Sequence, residues 1–226
     1  MFWFSAAFSA AGILESAICS CLVAEFAGYW LHRLLHSDKL PFLSRNHMAH
    51  HLLLYGPNQH MRAASYKDAT HGRFSLGNVG LEWLAPSTVV LIFCWGAMNV
   101  FRVRPIYQAI VLANLVAWPF LSFSFLHDAM HLRDAWMARL PVVNVWFRRA
   151  RRLHDIHHHS LNSAGRINTN FGIGFFLFDR MFHTLATRHR PLNRKGLAIA
   201  LQRYTLATPL RPLGGDRSGE GEATFQ

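Results

Sequence analysis

With 226 residues, the chain has room for one domain with a sizeable core, but not for an enzyme domain joined to a full redox partner domain. Apolar residues make up 51% and charged residues only 15%, against roughly 25% charged in soluble proteins, which points away from an ordinary soluble fold and towards a membrane protein. The formal charge of +11 lies between and after long apolar runs rather than along a polar face. No nucleic-acid partner is therefore expected; the charge fits a surface beside anionic membrane lipids, where each Lys or Arg contributes about 1 kcal/mol.

In chain order, Phe2 to Leu31 is apolar, contains Glu15 and Glu25 but no Lys or Arg, and so lacks the basic start of a signal peptide. It predicts a spanning helix. Leu81 to Phe101 and Pro105 to Leu126 each supply the roughly 20 apolar residues that cross a ~30 Å hydrocarbon core. Only Arg102, Val103 and Arg104 separate them, so they form a hairpin. Three spans place residues 32–80 and 127–226 on one side. All 23 basic residues except Arg102 and Arg104 fall there, which by the positive-inside rule makes it cytoplasmic.

Two shorter apolar runs, 135–147 and 171–182, cannot span; they suit helices lying at the membrane interface or the core of a cytoplasmic cap. Cys19, Cys21 and Cys94 sit inside apolar segments with no paired framework and are expected as buried thiols. Residues 1–190 read as a membrane domain. Residues 191–226 read as a basic, then polar, disordered tail. The expected fold is all-α and integral to the membrane, with one span plus a hairpin and a cytoplasmic helical cap.

Ten of the fifteen histidines fall into four spaced clusters: His32 and His36; His47, His50 and His51; His127 and His131; His154, His157 and His158. On an α-helix, residues three and four apart face the same way about 5–6 Å apart, so each pair or triplet presents its imidazoles on one face. Ten ligands are too many for one ion and suit two ions with five nitrogens each. The topology brings all four clusters to one side of the membrane.

Taken singly, each of these histidines reads as an interfacial or packing residue. An adventitious metal tract would be local, like His157-His158-His159. A bis-His haem would use single histidines within the bilayer. A metal transporter would need carboxylates along its spans, and only Glu15 and Glu25 qualify. Asp128 and Asp155 stand beside the clusters as orienting acceptors or as helix caps. His60, His71, His183 and His189 read as interfacial or solvated residues.

The four clusters in this order, split by an apolar hairpin, resemble the fatty acid hydroxylase superfamily, which includes sterol desaturases, lipid hydroxylases and carotenoid hydroxylases. The stretch Asn170-Phe171-Gly172, followed by Asp179-Arg180-Met181-Phe182-His183-Thr184, is similar to that family's Asn-Phe-Gly and Asp-x-x-Phe-Gly-Thr elements, with His183 where the family carries glycine. The resemblance covers about residues 25–187. It implies two iron ions held by the ten histidines, although imidazole alone suits zinc or copper as well and zinc is possible in purified protein. It further implies O2 as co-substrate and hydroxylation of a fatty acyl, sterol-like or carotenoid C–H bond, or desaturation on the same scaffold. Asn170 and Asp179 are implied supports of the site, and His159 could replace His158 as a ligand. A metal transporter is the alternative from another class. The chain has no Cys-x-x-Cys set and no dinucleotide fingerprint, so electrons must come from a ferredoxin, a cytochrome b5-like protein or a reductase. Arg148, Arg149, Arg151 and Arg152 would dock such a donor or contact lipid phosphates.

Overall fold

The structure, a computed structural model, describes residues 9–56, 61, 75–76 and 79–205. Helix α1 spans Ala10–Leu35 and opens with Ser9, whose hydroxyl caps the Gly12 N–H at 2.9 Å. Helix α2, Pro41–Ala49, starts on proline, whose fixed φ suits a first helical turn, and runs into a π-helical turn, His50–Leu54. A short antiparallel hairpin, β1 (Ser75–Leu76) and β2 (Val79–Gly80), leads into α3, Leu81–Val100. Helix α4, Pro105–Pro119, continues through a π-helical stretch, Phe120–Leu126, into α5, His127–His131. After a single 3-10 turn, Trp136–Ala138, come α6 (Asn144–His159), α7 (Leu177–Met181) and α8 (Arg194–Thr205).

Three rods are long and apolar enough to cross a membrane: Ala10–Leu35, Trp83–Val100 and Pro105–His131. The expected one-plus-hairpin arrangement is present, with two adjustments. The first helix runs to Leu35 and carries His32, and the third rod continues through the π stretch so that His127 and His131 sit on its final turns. Lipid supplies no hydrophobic drive between helices, so small residues and polar contacts must hold them. Gly28 brings α1 against the π-helical stretch that continues α4 so closely that a Cβ there would lie 2.5 Å from the Phe123 ring. Asn114 donates to the Ser20 hydroxyl across the same seam at 2.9 Å, a contact worth roughly 0.6 kcal/mol inside a membrane. The outward faces are apolar, with Val89, Ile92 and Phe93 more than 60% exposed. The cysteines differ from expectation: Cys19 is exposed and Cys21 and Cys94 are half-buried, because their apolar surroundings are lipid and not a protein core.

Helices α5 to α8 cap one end of the spans. Phe147, Ala150, Leu153 and Ile156 of α6 bury one face against Met130, Met137, Ile173 and Phe176, the recurrence at three-residue steps expected of a packed amphipathic helix. Of the two short apolar runs, the first leaves Trp136, Val142 and Val145 exposed and the second leaves Phe175 and Met181 exposed, while their alternate residues pack into this core. Both runs thus take the expected role in the core of the cap. Beyond residue 190, α8 buries Ala200 against Met48, Leu52, Leu161 and Ile167. Arg203 and Tyr204 hold Asp38 at 3.4 and 3.0 Å, and Arg166 pairs with the same carboxylate. The tail expected from residue 191 therefore begins with a docked helix; residues 206–226 lie outside the described residues.

The Phe123 ring stacks on Trp83 at 4.0 Å and has no room to retreat from an enlarged Gly28. Gly28→Leu is expected to cost about 1–3 kcal/mol through overpacking, read as a lower thermal midpoint in detergent micelles; an unchanged midpoint would show that the seam is not tight.

Candidate metal centre

The ten clustered histidines meet at the capped end of the bundle in two groups. His32, His36, His47, His51 and His157 form one, with all five rings buried; His50, His127, His131, His154 and His158 form the other. Within each group the facing ring nitrogens lie within 4.8 Å of one another. The partition follows helix geometry. Each i, i+4 pair (32/36, 47/51, 127/131, 154/158) serves one group, and in each triplet the residue three along from its first member crosses to the other. His50, at the start of the π turn, leaves α2's pair and joins the α5–α6 group. His157 leaves α6's pair and joins the α1–α2 group. The groups abut, with the His51 and His158 rings 4.0 Å apart between centroids.

The rings are aimed by their outer nitrogens. His32 Nδ1 lies 2.6 Å from the Phe171 carbonyl, His157 Nδ1 2.6 Å from the Thr169 carbonyl, and His158 Nδ1 3.0 Å from the Tyr55 carbonyl. An Nδ1–H that donates to a carbonyl leaves the Nε2 lone pair free and pointed inward, the usual arrangement around a metal. The inner nitrogens face one another: His36 Nε2 stands 3.0 Å from both His47 and His157 Nε2, and His154 Nε2 stands 3.1 Å from His131 and 3.2 Å from His158. His32 Nε2 and His50 Nε2 are buried without a hydrogen-bond partner.

Such crowding of lone pairs fits a cation between them. Two nitrogens about 2.1 Å from one ion and at right angles lie about 3.0 Å apart, whereas a tetrahedral pair lies about 3.4 Å apart. The observed spacings match the right-angled case, which suits a five- or six-coordinate ion better than a closed tetrahedral zinc site.

Asn170 and Asp179, both fully buried, hold the strand that presents the two carbonyls. Asp179 accepts from the Phe171 and Gly172 N–H groups at 2.8 and 2.7 Å and from the Thr184 hydroxyl at 2.7 Å. Asn170 donates to the Leu153 and Ala186 carbonyls at 2.8 Å and accepts from the Ala186 N–H at 2.7 Å. A Cβ on Gly172 would strike Asp179 Oδ2 at 2.8 Å. The two residues thus act on the histidines through the backbone carbonyls of Thr169 and Phe171, partners that side-chain reasoning on the sequence missed. His183 adopts φ 56°, the left-handed region that glycine occupies without strain, and the family's glycine belongs at this place.

The other histidines stand apart. His159 donates to the Asp155 carbonyl at 2.9 Å, outside both groups. With Asp155 and the exposed His189 it forms a separate surface cluster, in which His189 Nε2 lies 3.1 Å from Asp155 Oδ2. Asp155 therefore serves His159 and His189, while Asp128 approaches His127 Nδ1 at 3.9 Å. His183 is exposed. His60 and His71 lie outside the described residues.

Burial, reinforced by the neighbouring rings, pulls His36, His47, His50, His51, His154 and His158 well below the usual histidine range. Burial takes His157 down to about 3, against the opposing bond to Thr169. All are neutral at physiological pH, the form in which imidazole binds a metal. Burial raises the Asp179 carboxyl, and its bonds to Thr184, Gly172 and Phe171 oppose that.

The fatty acid hydroxylase family model matches residues 17–184, most of the chain and all four histidine clusters, so the chain belongs to that family. Neither a curated protein nor a solved structure matches it.

Neutral burial sets a pH dependence. Between 6.5 and about 3 the unfolded chain binds a proton at residue 157 that the folded chain does not, so stability falls as pH is lowered through that window. Each such histidine contributes up to about 1.4 kcal/mol per pH unit. The thermal midpoint of the metal-free protein in detergent is expected to hold above pH 7.5 and to fall steadily below 6.5; a level profile down to pH 4 would contradict neutral buried rings.

Proposed function

We propose that this fatty acid hydroxylase family member is a membrane di-iron monooxygenase that hydroxylates a C–H bond of an apolar lipid, with its centre on the cytoplasmic face. Family membership implies an oxidoreductase of lipid chemistry. The observation that carries the finer reading is the pair of abutting five-histidine cages at one end of helices apolar enough to cross a membrane. The ten histidines His32, His36, His47, His50, His51, His127, His131, His154, His157 and His158 are the proposed ligands.

Two iron ions bound there supply the redox chemistry that activates O2 towards an unactivated C–H bond. The protein's own part is orientation and exclusion of water. The carbonyls of Phe171, Thr169 and Tyr55 hold three rings in one tautomer. Phe171 and Trp83 close over the first cage, edge-on to His32 at 5.9 and 5.8 Å, and Tyr55 stacks on His131 at 4.1 Å over the second. The ten imidazoles would bring no negative charge to offset two ions held there.

Electrons enter from a separate ferredoxin, cytochrome b5-like protein or reductase. The side away from the spans supports this: Arg148, Arg151 and Arg152 line an opening of about 230 Å³ together with His131, His154 and His158. Arg151 is committed to the fold, donating to the Leu132 carbonyl at 2.8 Å and lying over the Phe147 ring. Arg148 and Arg152 are exposed and offer an acidic donor a short path to three of the proposed ligands.

Anaerobically purified protein is expected to hold about two metals per chain, with iron supporting activity, and cells that overexpress it are expected to accumulate a lipid heavier by one oxygen atom. Loss of two hydrogens instead would assign a desaturase on the same scaffold. His50→Ala and His157→Ala each remove the ring that crosses between cages, so each should lower metal content and abolish product. Full activity in either variant would overturn the ligand set; metal flux into vesicles without O2 consumption would replace the enzyme with a transporter.

A further inference from the structure

The ligand-bearing face of α1 continues into the bilayer, and there it carries a carboxyl. Glu25 precedes His32 by seven residues, nearly two full turns, so the two share a face about 10 Å apart along the axis. Glu15, the other acid of α1, is exposed, whereas Glu25 is half-buried and lines an apolar groove of about 300 Å³ with Ile18, Leu22, Trp118, Phe175 and Leu177.

Two polar groups meet in this groove. Glu25 Oε1 lies over Gly174, where an added Cβ would stand 3.2 Å from it. The Trp118 indole faces the carboxyl without completing a hydrogen bond, and its N–H is buried with no partner. The groove is also joined to the metal centre. Phe175 stacks on Trp118 at 6.2 Å, Gly174 is tied down by a hydrogen bond from Trp146 at 3.1 Å, and the same segment begins at Phe171, whose ring packs on His32, His36 and His157.

We propose that this groove binds a lipid bearing a hydroxyl group, with the hydroxyl between Glu25 and Trp118 and the apolar body directed along α1 towards the histidine cages. A carboxyl at mid-span depth belongs to a functional cavity, and an alcohol is the group that satisfies both partners at once. Its O–H donates to Glu25, and its oxygen accepts from the Trp118 N–H. A hydrocarbon leaves both unfilled, and a lipid carboxylate would set a second acid against the first. The inference names the substrate class of the oxidation proposed above and rests on that reading.

The test is photolabelling of the metal-loaded protein in phosphatidylcholine nanodiscs with a diazirine-bearing hexadecanol and with its methyl ether, which keeps the acceptor and lacks the proton. The alcohol is expected to label residues 17–25 and 175–177 about tenfold more than the ether, the ratio that one hydrogen bond to a carboxyl supplies. Glu25→Leu should reduce the alcohol to the level of the ether, Glu25→Gln should keep part of the preference because an acceptor remains, and Trp118→Phe should lower it severalfold. Equal labelling by the two probes in the wild type, or an intact preference in Glu25→Leu, would overturn the proposal. If Glu25→Leu loses its metal, the wild-type ratio and Trp118→Phe decide. Labelling needs no turnover, so a protein that prefers the alcohol yet makes no oxidised lipid would refute the enzymatic reading alone, and one that oxidises lipid without that preference would refute the groove alone.

Discussion

Everything in this fold depends on ten imidazoles, eight of them buried, being gathered with their ring nitrogens facing one another. A buried polar nitrogen left without a partner costs about 1–3 kcal/mol, and His32 and His50 each bury such an atom. Spacings of 3.0–3.2 Å between ring nitrogens can be met in part by N–H···N hydrogen bonds, but one proton per neutral ring cannot satisfy every such contact, and several rings already spend theirs on a backbone carbonyl. The arrangement is stable in proportion to what binds between the rings. The outer hydrogen bonds to the carbonyls of Phe171, Thr169 and Tyr55 limit the cost by fixing the tautomers beforehand.

The spans supply the rigid frame. A helix held by lipid ends where the bilayer ends, so α1 and the α4–α5 rod deliver His32 and His131 to a common level without any long loop. Two π-helical segments adjust the phase. Pro119 has no N–H to continue the α-helical ladder, and the wider turns of Phe120–Leu126 follow it and lead directly into His127. The other begins at His50 itself, the residue that leaves its own helix's pair for the opposite cage. Wider turns of this kind recur at functional sites because one extra residue redirects the side chains that follow.

The histidine clusters, the hairpin and the gathering of both at one end were legible in the sequence, because spacing at three and four residues and runs of about 20 apolar residues are local signals. Which ion each ring would serve was not legible. The splits of His47 and His51 from His50, and of His154 and His158 from His157, depend on which neighbouring helix each ring faces, and that carries no composition signal. The carbonyls of Thr169 and Phe171 were equally hidden, since backbone acceptors have no residue code; only the Asn-Phe-Gly element and Asp179 hinted that something there had to be held. The reading of a tail from residue 191 missed the helix Arg194–Thr205 for a related reason. Basic residues flank Leu197, Ala200 and Leu201 closely enough to mask a short apolar face that packs on Met48 and Leu52.

The crossing of His50 and His157 couples the two cages more tightly than proximity would. The first cage needs α1, α2 and α6; the second needs α2, α5 and α6. No contiguous half of the chain builds either one, and α2 and α6 each belong to both. A displacement of α6 would therefore disturb both cages together. Two ions held by such a frame would have their separation set through the backbone of the two shared helices.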